Sequence, residues 1–181
     1  MPNWCSNTAT FSHEDPAMIK RLVDAYNSGK TMQAFFPCPQ ELLDNDAPAD
    51  TSDEAVKARI EKYGEADWYQ WSVNNWGTKW DFGADADYDA ITVDEGSNEV
   101  MISFDTAWSP PIGFYQEMED EHGFHIKATY FEPGMGFVGE YEEGSDDCFE
   151  FSDAECAGVP EHLVEEYDIP SMFMDEEEEI D

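Results

Sequence analysis

The segment Asp85-Ala86-Asp87-Tyr88-Asp89 sets acids at the first, third and fifth positions of a possible calcium loop. Wrapping the ion also needs Gly at position six, for the sharp turn, and a bidentate Glu at position twelve. Ala90 and Gly96 stand there instead. The acids therefore read as outward side chains on a strand edge, where they discourage edge pairing, with weak and nonspecific divalent binding at most. His122 and His125 are three apart, but Gly123 breaks the helix between them. His13-Glu14 lacks the second histidine of a zinc-protease helix, and His162 stands alone among acids. No metal site and no cofactor is expected. Neither a Gly-x-Ser-x-Gly elbow nor a phosphate loop nor a dinucleotide fingerprint occurs. Pro133-Gly134-Met135-Gly136 has no Lys and no helix start behind it, so it reads as a turn. Carboxylate pairs are too abundant to single out a general acid and base, which need contrasting environments. No catalytic residue is assigned.

The charge itself is the next feature. The formal net charge is -35 on 181 residues, and it is unevenly placed. From Asp81 to Asp181 there are 31 Asp and Glu against one cation, Lys127, whereas Met1 to Trp80 holds 12 acids and the other seven Lys and Arg. A globular chain of this length has a radius of gyration of roughly 16 Å and a width of about 40 Å. The same length of duplex DNA, at one charge per ~1.7 Å, carries about 24 charges. Such a surface suits cationic partners and repels nucleic acid and anionic lipid heads. The bland alternative is a merely solubilised or salt-adapted acidic protein, against which the lopsided distribution counts a little.

Six Trp, eight Tyr and twelve Phe supply the apolar surface that acidic disordered chains lack. Met1-Pro2-Asn3-Trp4-Cys5 has neither the basic nor the apolar part of a signal peptide. No apolar run approaches the ~20 residues of a membrane helix. Cys5, Cys38, Cys148 and Cys156 form no Cys-x-x-Cys pair and read as reduced thiols. A cytoplasmic location is expected. The tryptophans Trp68, Trp71, Trp76, Trp80 and Trp108 could stack on bases, but the charge would repel phosphate, so core packing is the expectation. Lys79 would then pair with Asp81 or Asp105.

Periodicity supplies the elements that must carry these residues. Trp4 to Phe11 alternates as a strand. Asp15-Pro16 caps a helix with a stripe at Met18, Ile19, Leu22, Val23 and Tyr26, ending near Gly29. Phe35-Phe36-Pro37-Cys38-Pro39 reads as a packed loop. Thr51 to Glu54 has capping-box spacing ahead of one helix, and Asp67 to Trp76 forms another. Asp89 to Asp94 and Val100 to Asp105 are two strands around the turn Glu95-Gly96-Ser97-Asn98. Ser109-Pro110-Pro111 opens a helix carrying Ile112, Tyr115 and Met118, stopped at Gly123. Phe124 to Tyr130 and Phe137 to Tyr141 are further strands.

Without the helical insertion at about 31–79 and the last strand, the order is βαββαβ. This is an α+β, ferredoxin-like (split βαβ) antiparallel sheet with two helices on one face. The domain covers 1–142. Residues 143–181 form an acidic extension with one short helix, about Pro160 to Tyr167, and a mobile tail at Asp175 to Glu179.

Three stretches carry a resemblance: Met1-Pro2-Asn3-Trp4-Cys5-Ser6-Asn7, Asn75-Trp76-Gly77-Thr78-Lys79-Trp80-Asp81, and Phe104-Asp105-Thr106-Ala107-Trp108-Ser109-Pro110-Pro111. With Tyr130-Phe131-Glu132-Pro133-Gly134 they resemble the YubB-like family of uncharacterised phage and plasmid proteins with a ferredoxin-like domain, over residues 1 to about 142. The resemblance implies a mobile-element protein acting inside a bacterial cell, and no catalytic residues.

Charge and resemblance together point to an inhibitor that presents a DNA-like acidic face to a basic host protein, one that binds DNA or serves in defence. The carboxylates for that contact are Asp85, Asp87 and Asp89 on a strand edge, Glu117, Asp120 and Glu121 on an outer helix face, and Glu140, Glu142, Glu143, Asp146 and Asp147. One alternative is an adaptor that binds a host factor through the aromatic insertion, Phe35 to Trp80. Another is an enzyme with its site between insertion and sheet. Direct nucleic-acid and membrane binding are not expected, and the oligomeric state is not set by the sequence. Because salt screens repulsion among the acids, the melting temperature should rise from low to moderate salt. An unchanged value would show that net repulsion does not limit stability.

Overall fold

The structure, a computed structural model, describes residues 3–50, 52–84, 90–93 and 98–174. Strand β1 (Trp4–Ser12) buries Cys5, Asn7, Ala9 and Phe11 on one side, as its alternation predicts. Helix α1 (Pro16–Asn27) starts at Asp15, whose carboxylate accepts the Ala17 N–H at 2.9 Å. Next come α2 (Thr31–Phe35), α3 (Gln40–Leu43), α4 (Glu54–Tyr63) and α5 (Trp68–Asn75). Strands β2 (Ala90–Val93) and β3 (Glu99–Ala107) precede α6 (Ile112–Asp120). Strands β4 (His125–Glu132), β5 (Phe137–Glu142) and β6 (Ser145–Glu150) follow, then α7 (Glu161–Glu166) and a 3-10 turn at Ile169–Phe173.

All six strands form one antiparallel sheet in the order β2-β3-β1-β4-β5-β6. Its first four members have the order of a split βαβ unit, with β1 paired to both β3 and β4. The fold is α+β and ferredoxin-like. Ile19, Leu22 and Tyr26 of α1 and Phe114, Tyr115 and Met118 of α6 enter one core with Ala9, Phe11, Ile102, Phe104, Ile126 and Ala128. Both helices therefore cover the same face. The insertion joins this core through Met32, Phe35, Leu42, Trp71 and Trp76 and is not a separate body. Phe82, just after it, stacks on Phe104 with ring centres 3.7 Å apart.

Gly113 is what lets α5 and α6 meet. A Cβ there would collide with the Asn75 carbonyl, so only glycine permits that approach. Gly139 plays the same part in β5, beneath the Tyr130 hydroxyl.

Several expectations need correction. Phe35 closes α2 and is not the start of a loop, and α3 follows the prolines. The cap of α4 is Asp53, which accepts the Ala55 N–H, so the capping-box reading fails; Thr51 lies outside the described residues. Helix α6 begins at Ile112, while the Ser109 hydroxyl donates to the Gly77 carbonyl instead of capping it. The largest correction is after Glu142. Ser145–Glu150 pairs with β5 as a sixth strand, invisible in the sequence because all but the half-buried Phe149 stay exposed. The tail at Asp175 to Glu179, the turn Glu95-Gly96-Ser97 and the acids Asp85, Asp87 and Asp89 lie outside the described residues.

The chain beyond β6 then builds a second small core on the opposite sheet face. Phe151, Cys156, Leu163 and Ile169 gather there with Val138, packed by Phe131, Tyr167 and Phe173. Phe131 lies between the Phe151 and Tyr167 rings, stacked at 5.7 and 5.0 Å. Residues 145–173 are thus integral to the fold and no mere acidic appendage.

Leu163→Ala should cost about 2–5 kcal/mol, the usual range for a fully buried leucine. Ending the chain after Glu150 should lower the melting temperature sharply, whereas ending it after Met174 should not. Equal melting temperatures for the two truncations would show that the second core adds nothing.

Candidate functional site

The acidic candidates do not form one track. Along α6 the side chains alternate in role. Glu119 turns to the sheet, accepting the Ile126 N–H at 3.2 Å and the Tyr141 hydroxyl at 2.7 Å. Asp120 and Glu121 are exposed, and Glu117 is half-buried. Burial first, then the neighbouring Glu121, raises the Glu117 carboxyl above its ordinary range; His122 works the other way. Asp146, opposite Tyr141 on the same side of the sheet, accepts the Tyr130 hydroxyl at 2.7 Å. Glu140, Glu142 and Asp147 have the other parity and share the face that carries α7. Two of them already have partners: Glu140 lies 2.9 Å from His162, and Glu142 3.3 Å from Lys127. Glu143 is exposed in the turn between β5 and β6. The structure thus separates Glu117, Asp120, Glu121 and Asp146 from Glu140, Glu142 and Asp147.

Among the described residues no group of three or more His, Cys, Asp or Glu gathers as a metal site. His122 donates from Nε2 to the Phe35 carbonyl at 2.9 Å. Cys5 is fully buried, and burial, reinforced by Glu132, pushes its thiol up to about 12. It is an inert core group. Around it, buried Asn7 donates to the Cys5 carbonyl and to Thr106 Oγ1, both at 2.8 Å, locking β1 to β3.

The tryptophans divide. Trp71 and Trp76 are 6% and 4% exposed and belong to the core, as expected. Trp80 and Trp108 are not buried, being 40% and 39% exposed, and Trp4 joins them at 48%. The rings of Trp4 and Trp80 lie 6.1 Å apart. The expected Lys79 ion pair is absent. Its Nζ sits over Trp80 at 4.3 Å, Trp108 at 5.3 Å and Tyr69 at 5.6 Å, a cation held by ring quadrupoles. Asp105 instead accepts the Ser6 hydroxyl at 2.9 Å. Trp108 has a φ of 68°, a left-handed conformation costly for a bulky residue. Its N–H donates to the Asn3 carbonyl at 2.9 Å, which helps hold it there. The sequence signal for Trp4 was its place on the polar side of the β1 alternation; nothing comparable marked Trp80 or Trp108.

Beside Trp80 a cleft of about 360 Å³ opens between the α1–α2 link, the insertion and the segment before β2, with Trp68, Trp76, Trp80, Lys30, Lys79 and Ser72 in its wall. A second cleft of about 300 Å³, behind Pro48, shares Trp68 and Lys79. Asp81 closes one side of the larger cleft. Its carboxylate accepts the N–H groups of Met32, Gln33 and Phe82 at 2.7, 2.9 and 2.8 Å, tying the post-insertion segment to the start of α2. Desolvation raises its pKa in spite of those bonds.

Residues 76–159 match the family model described as "Ferredoxin-like domain in Api92-like protein", a span that includes β2 to β6 and α6. That match supports an uncharacterised ferredoxin-like family. The crystal structure of the protein Api92 from Yersinia pseudotuberculosis is similar at 11% identity, covering 84% of this chain and 99% of that one, with a TM-score of 0.48. No curated protein matches the chain in sequence. Among the described residues no helix is long and apolar enough to cross a membrane.

A folded carboxyl with a raised pKa is destabilising above that pKa and neutral below the unfolded one, so the Asp81 charge itself costs stability at neutral pH. Asp81→Asn sheds the charge and keeps Oδ1 for the Met32 and Phe82 N–H groups but sets its NH2 against the Gln33 N–H, so near pH 7 it should cost less than the alanine change. Asp81→Ala strands three donors and should cost about 1–3 kcal/mol. If thermal melts show Asn as damaging as Ala, the charge and not the hydrogen bonding holds α2.

Proposed function

We propose that this chain is an acidic binding protein, encoded by a phage or plasmid, that occupies the cationic DNA-binding surface of a host protein and inhibits it. The observation that carries this reading is the scarcity of compensation. Against 43 Asp and Glu, the described residues form four lysine–carboxylate pairs and one histidine–carboxylate contact. The four lysine pairs are surface pairs, which are worth little and screened by salt. The remaining field would steer a basic partner from a distance. On this reading Glu117, Asp120, Glu121 and Asp146 form the contact set on the helical side, while Asp85, Asp87 and Asp89, outside the described residues, stay candidates by sequence alone. Glu140, Glu142, Glu143 and Asp147 would serve a partner that reaches the other face. The site is intracellular.

A second reading rests on a different observation, the exposed indoles of Trp4, Trp80 and Trp108. Large aromatics are enriched in interface anchors, so an adaptor surface at the insertion is the alternative. The enzyme reading has only the cleft beside Asp81 behind it, with no catalytic residue assigned there.

The test is capture of host proteins on the immobilised chain, followed by competition. Under mimicry, duplex DNA displaces the captured protein, and affinity falls about tenfold or more between roughly 50 and 200 mM salt. Replacing Glu117, Asp120 and Glu121 by Gln, Asn and Gln weakens capture without unfolding. Capture that survives salt and DNA, but is lost on Trp80→Ala or Trp108→Ala in a folded chain, would replace mimicry by the adaptor reading.

A further inference from the structure

The eight cations of this chain are not equivalent. Lys20, Lys57, Lys62 and Lys127 each pair with a carboxylate, Asp24, Glu54, Glu41 and Glu142 respectively. Arg21 donates to the Ala34 carbonyl and lies over the Phe35 ring, and Arg59 donates to the Ala66 carbonyl. Among the described residues only Lys30 and Lys79 are lysines without a carboxylate within 4.0 Å, and both line the same cleft. In so acidic a chain, two lysines at one cleft with no carboxylate within 4.0 Å among the described residues are an unusual arrangement.

The rest of the wall fits a particular chemistry. Trp68, Trp76 and Trp80 offer indole surfaces, and Ser72 lines the cleft although only 1% exposed. The one acid in the wall, Asp81, lies close enough to Lys30 to feel its charge but is committed to three backbone N–H groups. A volume of about 360 Å³ lies within the range of small-molecule sites. Indoles stack on planar rings, and lysines take an anionic substituent.

We infer that this cleft binds a planar aromatic anion, a ring carrying a phosphate or carboxylate, with the ring against Trp68 and Trp80 and the anion at Lys30 and Lys79. The inference does not depend on the acidic-mimic proposal, since it concerns a concave site and not the charged surface. The net charge of the chain opposes an incoming anion, but at about 0.15 M salt the screening length is ~8 Å, so the two lysines dominate at contact.

The full chain, labelled at its indole nitrogens, is titrated at that salt with adenosine 5′-monophosphate and, separately, with 2-naphthoate. A saturable shift of the Trp68 and Trp80 indole signals is expected with at least one probe. Its uncharged counterpart, adenosine or 2-naphthylmethanol, should bind about threefold or more weaker, and ribose 5-phosphate, lacking the ring, should leave the signals unmoved. Lys30→Gln and Lys79→Gln should each weaken the responsive probe by about threefold. Lys30 is exposed, so its substitution keeps the test valid if Lys79→Gln disturbs the aromatic cluster. A response to the nucleotide alone assigns a phosphate ligand, and one to naphthoate alone a carboxylate. No saturable shift with either probe at millimolar concentration overturns the inference, as does equal binding of charged and uncharged compounds.

Discussion

Mutual repulsion among 43 carboxylates, opposed by eight cations, is the constraint under which every other feature is arranged. Cohesion must come from apolar burial, and the chain supplies it with aromatic rings. The main core strings Phe82, Phe104, Phe114, Tyr115 and Tyr141 through successive ring contacts of 3.7 to 6.5 Å. Such contacts add to the area they bury and involve no ionisation near neutral pH. The Tyr115 hydroxyl, wholly buried, has its pKa raised well above the ordinary value chiefly by desolvation.

The same shortage of cations decides what happens to acids that turn inward. Asp67 is 2% exposed and accepts the N–H groups of Ala49 and Gln70 at 2.9 and 3.0 Å. Glu132 is 1% exposed and accepts those of Gly134 and Met135. Asp81 does the same for three donors. Each carboxylate is held by backbone dipoles where other proteins would use Lys or Arg, and each helps fix a turn or helix start. The arrangement leaves the scarce cations for other uses, which gives Lys30 and Lys79 their interest.

The split βαβ sheet was legible because its strands and helices bury one side at the proper period. Phe11, Leu22, Ile102 and Ile126 sit where alternation or the helical stripe predicts. Strand β6 was not legible, since Asp146, Asp147, Cys148 and Glu150 remain exposed and an edge strand needs no apolar side. The second core escaped notice for a related reason: Phe151, Leu163 and Ile169 are too widely spaced among acids to show a period. At the candidate sites, sequence named the acids but not their grouping, because a one-residue step along β5 or β6 changes the face. It also took Trp80 and Trp108 for core and Lys79 for an ion pair. Indoles do not reveal which side of a turn they will take when a left-handed residue sets it.

The central position of β1 has a consequence for how the chain comes to be made. Trp4 faces Ala107 and Ser6 faces Phe131, so the first strand to leave the ribosome has both its partners more than half the chain away. At roughly 5–20 residues per second, about 6–25 s pass before β4 exists to close the second side. Until β3 emerges, roughly 5–20 s after β1 at that rate, the alternating segment Cys5 to Phe11 has no native strand to pair with, and such long-range pairing is slow in any case. Because the acid lies mainly in the second half, the strand must wait with the less heavily charged part of the chain. Helix α1, through Ile19 and Leu22, is then the first native surface against which it can shelter, joined by Met32, Phe35 and Trp71 as the insertion emerges.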